Sequence, residues 1–150
     1  MTEIYVDADA CPVKAEVMRV AERHKLKVHM VSNTWMRMAE SPLVHSVVVS
    51  EGADAADDWI AEHIGETDIA VTADIPLADR CLKAGAHAIG PNGKPFTEAN
   101  IGSAMAMRDL MSHLRDTGEV SGHNPGFTRQ DRSRFLGALE DAAQAARRQR

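Results

Sequence analysis

Cysteine, aromatic side chains and long apolar runs are all scarce in this chain, and each scarcity excludes something. The two cysteines, Cys11 and Cys81, form neither a Cys-x-x-Cys pair nor a disulfide framework. A disulfide-stapled secreted scaffold is therefore excluded, and a reducing compartment fits. No apolar run approaches the ~20 residues that cross a bilayer. The N-terminus lacks the basic start and apolar stretch of a signal peptide and runs directly into the strand-like Ile4-Tyr5-Val6. A cytoplasmic protein without a membrane partner is expected. Aromatics are 4% of the residues, so Val, Ile, Leu, Ala and Met must build the core, and no base-stacking platform is visible. Positive charge is also short: residues 1–100 hold 9 Lys/Arg against 16 Asp/Glu, while residues 101–150 hold 8 against 6. A net charge of −5 does not steer the whole molecule to nucleic acid, so such a partner needs a local basic patch or a metal bridge.

What is present reads as one domain of 150 residues. Strands are expected at 3–7, 27–32, 46–50, 68–72 and 87–89. Pro12 suits the first position of a helix carrying Val13, Val17, Val20, Ala21 and His24 at helical spacing. Gly52-Ala53-Asp54 opens a second helix, with Ala56, Trp59, Ile60, His63 and Ile64 on one face and Gly65 as its stop. A third helix runs from Pro76 to Lys83, and the Gly- and Pro-rich stretch 90–95 reads as a loop. Ala104, Met107, Met111 and Leu114 mark a fourth, stopped by Gly118. Residues 119–127 read as a linker, and Thr128 with Asp131 as the capping pair of a last helix bearing Phe135, Leu136 and Leu139. The final residues 147–150 are expected to fray. The alternation implies βαβ units: a three-layer α/β domain over 1–118 with a parallel sheet of four or five strands and helices on both faces, and over 119–150 a linker and a C-terminal helix packed on the same domain.

The chemistry gathers in the aspartates. Asp7 and Asp9 follow the first strand, Asp74 follows the fourth, and Asp54 and Asp57 open the helix after the third. Three elements thus deliver carboxylates to the carboxyl edge of the sheet, where ligands of such folds sit. Clustered carboxylates repel one another, and a hard divalent cation such as Mg²⁺ or Mn²⁺ relieves that repulsion with oxygen ligands. Asp54 and Asp57 have an alternative use as helix caps and dipole partners. Lys14, a cation in the first turn of a helix, opposes the dipole and makes sense beneath a bound phosphate, or paired with Asp7 or Asp9. Asn33, after the second strand, and Thr72, the last residue of the fourth, stand at the same rim as candidate substrate or phosphate contacts. Cys11 and Cys81 read as packing residues, His63 and His87 as satisfied core residues, and the histidine spacing speaks against zinc. The arginines at 129, 132 and 134 read as a solvated basic face.

The string Asp7-Ala8-Asp9-Ala10-Cys11-Pro12 with Lys14 resembles the YaiI/YqxD family of uncharacterised bacterial proteins. The likeness continues through Gly52-x-Asp54-x-Ala56-Asp57, Thr72-Ala73-Asp74-Ile75-Pro76-Leu77-Ala78, Asn100-Ile101, Met107-Arg108-Asp109 and Phe127-Thr128 with Asp131, Arg132 and Phe135. It departs at Gly90-Pro91 and Phe96-Thr97, where the family tends to have Asn-Pro and Tyr-Thr. The resemblance implies a PIN-like fold, a class associated with metal-dependent RNA cleavage. Carried over, the acidic set would be Asp7, Asp54 or Asp57, and Asp74, with Asp9 and Asp79 accessory.

Three functions compete at this level. The first is a Mg²⁺- or Mn²⁺-dependent nuclease for RNA or single-stranded nucleic acid. The second is a non-catalytic module whose acids hold an ion or a protein partner. The third is a phosphatase with an aspartyl nucleophile in Asp7-x-Asp9, whose companion motifs stand in the wrong order.

Overall fold

Side-chain alternation along the first strand divides the molecule into its layers. The computed structural model describes residues 2–34, 41–50, 52, 54–116 and 127–148. Its sheet has six strands, β1 (Glu3–Asp7), β2 (Lys27–Ser32), β3 (Val44–Val48), β4 (Ile69–Val71), β5 (His87–Ile89) and β6 (Pro95–Phe96), in the order β3-β2-β1-β4-β5-β6. The first five are parallel and β6 is antiparallel to β5. Among the described residues five α-helices accompany the sheet: α1 (Lys14–His24), α2 (Ala55–His63), α3 (Ile75–Lys83), α4 (Glu98–Asp116) and α5 (Arg129–Arg148). Among the described residues, no helix is long and apolar enough to cross a membrane.

Ile4 and Val6, with Val28, Met30, Ile69, Val71 and Ile89, face α1 and α5. Tyr5, Val31, Ala70 and Ala88 face α2 and α3. Burial on both faces explains why these strands read as continuous apolar runs. The small residues Ala70, Ala88, Ala78 and Ala56 let α2 and α3 lie close to the sheet. The chain passes from β1 outward to β2 and β3, then returns across β1 to β4 and β5. Strand order therefore reverses between β1 and β4, and a crevice opens at their carboxyl ends.

The last helix belongs to the core. Its capping box forms as the sequence predicts: the Asp131 N–H donates to Thr128 Oγ1 and the Thr128 N–H to Asp131 Oδ2, both at 3.0 Å. Phe135, Leu139 and Ala143 are fully buried against α1 and the sheet. At the edge of this contact Glu140 accepts from Gln144 (2.9 Å), His24 Nε2 (2.6 Å) and Arg23 (3.1 Å), and these bonds hold its carboxyl down to about 2. Arg147 donates to His24 Nδ1 at 2.9 Å, which fixes the His24 tautomer with its proton on Nε2, facing Glu140.

Several boundaries differ from the sequence reading. β3 lies at 44–48 rather than 46–50, because pairing of Val44 with Val28 sets the register of an edge strand whose valine run has no period of its own. Pro12 does not open α1: a 3₁₀ turn (Ala8–Ala10) intervenes and Val13 is the cap. The 90–95 loop is the turn of a hairpin. Gly90 N–H donates to Lys94 O at 3.0 Å and Gly93 takes φ 86°, so Pro95–Phe96 adds to the sheet edge, where a missing proline N–H does no harm. α4 starts at Glu98, six residues before its first apolar marker, because Thr97 and Asn100 cap it reciprocally at 2.9 and 3.1 Å. α5 is helical through Arg148, where fraying was expected. His63 is exposed, stacked on Trp59 at 3.8 Å, and is not a core residue. The Gly118 stop and most of the 119–127 linker lie outside the described residues.

Replacing Phe135 with Ala deletes the largest fully buried side chain and is expected to cost about 3–5 kcal/mol. Urea denaturation of the variant checks this, and a loss below about 1 kcal/mol would mean that α5 is not part of the core.

Candidate functional site

Asp7 is the last residue of β1 and shares its face with Tyr5, so it points to the α2 and α3 side of the sheet at the strand-order reversal. Thr72 follows β4 on the same face as Ala70 and is 2% exposed. Its hydroxyl donates to Asp7 Oδ2 at 3.1 Å and accepts the Asp74 N–H at 3.0 Å. Asp74 caps α3, its Oδ1 accepting the Leu77 N–H at 2.9 Å, with Pro76 in the first turn. Asp9, exposed in the 3₁₀ turn, accepts the Asn33 N–H at 2.8 Å. The Asn33 side chain donates to Ser50 O at 3.1 Å and Gly52 O at 3.4 Å, tying the end of β2 to the segment that leads into α2. Asp54 stands at the N-cap of α2 without a side-chain capping bond, and Asp57 lies half-buried in its first turn.

The charges feel one another across these elements. Burial pushes Asp57 up to about 6, helped by the carboxylates of Asp74, Asp7 and Asp54 and opposed by Arg80. Burial also raises Asp7; the Thr72 hydrogen bond pulls it down, and Asp74 and Asp9 push it up further. The carboxylates of Asp7, Asp54 and Asp74 thus lie within electrostatic reach of Asp57, and those of Asp74 and Asp9 within reach of Asp7. The donor set is all oxygen, which suits a hard divalent ion. Asp7, Asp9 and Asp74 each engage one oxygen, and among the described residues no hydrogen bond is found to the other. No three acidic, histidine or cysteine groups among the described residues already surround a single metal-sized point. The residues therefore fit such an ion in charge and chemistry, and chelation requires side-chain rotation.

The other candidates fall elsewhere. Thr72 is too deeply buried and too fully engaged to meet a phosphate, and its geometry makes it a spacer between Asp7 and Asp74. Asn33 is a turn tie rather than an open donor. Lys14 donates to Cys11 O at 2.9 Å, and the ion pairs found among the described residues do not include it. Asp79 pairs with Lys83 at 2.9 Å and is not among the charges that shift Asp7 or Asp57. Burial raises the thiols of Cys11 and Cys81, the latter to about 12, so neither is a nucleophile at neutral pH. Sequence reasoning missed Arg80, which binds Asp58 at 2.8 Å on the rim and is felt by Asp57. A signal existed: Arg80 and Lys83 are the sole Lys/Arg between positions 41 and 93, opposite an acidic helix start.

Residues 5–145 match the uncharacterised YaiI/YqxD family. The chain belongs to this family. A UPF0178 protein of Parvibaculum lavamentivorans is 62% identical over 148 residues, covering 99% of this chain and 97% of its own. UPF0178 protein Rru_A0086 of Rhodospirillum rubrum is 59% identical over 149 residues, covering 99% of each chain. UPF0178 protein RPA2191 of Rhodopseudomonas palustris is 57% identical over 150 residues, 100% of this chain and 95% of its own. No solved structure matches the chain significantly. The YaiI/YqxD relatives' names state no activity, so the chemistry has to come from the site.

Asp57 gives this YaiI/YqxD member a measurable signature. Its folded form holds the proton more tightly than the unfolded form, so folding is penalised as pH rises from the ordinary value of 3.8 to about 6, and the penalty stays above that. In EDTA, Asp57→Asn is expected to melt higher than wild type near pH 8, with the gap closing by about pH 4. Thermal melts across pH check this; an equal or lower melting temperature at the alkaline end contradicts the crowding of carboxylates.

Proposed function

We propose that the chain is a divalent-metal-dependent phosphodiesterase acting on RNA or single-stranded nucleic acid in the cytoplasm, with Mg²⁺ or Mn²⁺ as its ion. The observation that carries this reading is the placement of Asp7 at the end of β1 and Asp74 after β4 on the two sides of one buried Thr72 hydroxyl, with Asp57 on α2 within electrostatic reach of both. Mutual repulsion is a standing cost in a resting protein, and a shared cation is the simplest way to remove it. The PIN-like resemblance of the same aspartates supports the nuclease class.

Asp7, Asp54, Asp57 and Asp74 would hold the ion, with Asp9 alongside. The ion supplies charge against a phosphoryl oxygen and lowers the pKa of bound water. Thr72 keeps Asp7 and Asp74 in register through its two hydrogen bonds. Asn33 steadies Asp9 and the approach to α2. Arg80 stands beside Asp57 and can meet a phosphate oxygen once Asp58 releases it. Lys14, one turn beyond the 3₁₀ segment, offers a second cation on the α1 side.

Asp7→Asn and Asp74→Asn are the discriminating variants, because Asn keeps hydrogen-bonding capacity at each place and is itself a good helix cap. Mn²⁺ affinity measured by calorimetry should fall by more than about tenfold in each, since even outer-shell losses reach that size. Cleavage of an end-labelled single-stranded RNA by wild type should stop in EDTA and in Asp7→Asn. Unchanged Mn²⁺ affinity in a folded Asp7→Asn protein would overturn the reading.

A further inference from the structure

A cleft of different chemistry adjoins the carboxylates. Pro12, Ala73, Ile75, Pro91, Phe96 and Phe127 line a cavity of about 480 Å³, with Lys94 among its lining groups. Ala73 and Ile75 are the chain neighbours of Asp74, so the cleft and the acidic crevice share a wall. Pro91 lies just beyond the carboxyl end of β5, and Pro12 on the segment between the 3₁₀ turn and α1, which keeps the cleft at the same end of the sheet. Its size is ordinary for a small-ligand site.

Phe127 is the feature that needs an explanation. It is 39% exposed, with Val48, Met107 and Leu110 one of four exposed large apolar side chains among the described residues. Its place is nevertheless fixed: it immediately precedes the Thr128 cap, and the Arg132 guanidinium lies 5.0 Å from its ring centroid. Arg132 is itself held, donating to Pro12 O at 2.7 Å and reaching Glu16 at 3.5 Å. A residue before the cap touching the fourth helical residue is a hydrophobic-staple position. An aliphatic side chain would serve a staple equally well. Here an aromatic ring is backed by a cation at the edge of a polar-rimmed cleft. The basic stretch at 129–134 thereby acquires a use, since Arg132 braces the ring while Arg134 pairs with Asp131.

We propose that this cleft is a nucleobase subsite, in which one base of a single-stranded nucleic acid stacks on Phe127 while its chain continues past Asp74 into the acidic crevice. The inference rests on the phosphodiesterase reading and names how its substrate is gripped. Stacking is indifferent to base identity, because every base presents a π face. Lys94, among the groups that line the cleft, meets a neighbouring backbone phosphate. That arrangement reconciles an acidic protein with an anionic ligand: the ion serves one phosphate, and Lys94 and the ring hold the neighbouring nucleotide.

The test uses the full chain in EDTA, so that binding is read without cleavage. Fluorescence anisotropy compares end-labelled octanucleotides, RNA and DNA, with abasic sugar-phosphate octamers of each kind; the tighter base-bearing arm identifies the sugar. Wild type is expected to prefer base-bearing octamers by about tenfold, in the range of one stacked base. Phe127→Leu, which preserves the staple, should abolish the preference, and Phe127→Trp should keep or increase it. Lys94→Gln should weaken both octamers alike and flatten the salt dependence by about one phosphate. Equal binding of base-bearing and abasic octamers by wild type, or an undiminished preference in Phe127→Leu, overturns the subsite. Mn²⁺-dependent cleavage is scored separately. Base preference without any cleavage keeps the subsite and removes the nuclease, whereas cleavage with a Phe127→Leu protein of unchanged base preference does the reverse.

Discussion

A hydroxyl group that water scarcely reaches holds the candidate site together. Thr72 donates to Asp7 and accepts from the Asp74 backbone, joining the carboxyl ends of two adjacent strands. The bridge opposes the repulsion between two carboxylates at a strand-order reversal, whose charges drive them apart. The bridge holds only because β1 and β4 are locked in register, Ile4 opposite Ile69 and Val6 opposite Val71. Apolar packing on both faces of the sheet fixes that register, since a one-residue slip would turn every buried side chain to the wrong layer. The hydrophobic core and the acidic crevice are thus one constraint seen from two ends.

The crevice carries an unrelieved electrostatic load. Asp57 sits where three other carboxylates raise its proton affinity and one arginine lowers it. Folded proteins avoid such arrangements unless something is gained, and titratable groups pushed away from their ordinary values concentrate at functional sites. The surroundings divide the labour. α2 and α3 bring the carboxylates in, the Asn33 tie fixes the approach to α2, and Arg80 remains on the rim in a pair that an anion can compete for.

The opposite layer has a different task. α5 buries Phe135 and Leu139 under α1, and a network centred on Glu140 pins its far end. Its near end places Phe127 beside the crevice. A helix that looks like an appendage in the linear order thereby helps build the core and holds the wall of the cleft, and its Arg132 reaches Pro12 O and Glu16.

Much of this was legible in the sequence. Short apolar runs, helical spacing, glycine and proline punctuation and the Thr128–Asp131 capping pair give the element order and the α/β class, because they depend on local chemistry. The placement of Asp7, Asp54 and Asp74 at element ends on the carboxyl side of the sheet also follows, since a parallel βαβ chain must bring its strand ends to the same side. Tertiary structure alone decided the rest. Whether Thr72 and Asn33 face a ligand or tie the site together depends on which backbone groups lie opposite them, and no spacing encodes that. The hairpin at Pro95–Phe96 exists only because β5 offers an edge. Arg80 reaches Asp58, and Phe127 meets Pro12 through Arg132, across gaps in the chain that only packing closes. Local patterns are written in neighbouring residues, whereas the partners of a polar side chain are chosen by whichever distant segment the folded core presses against it.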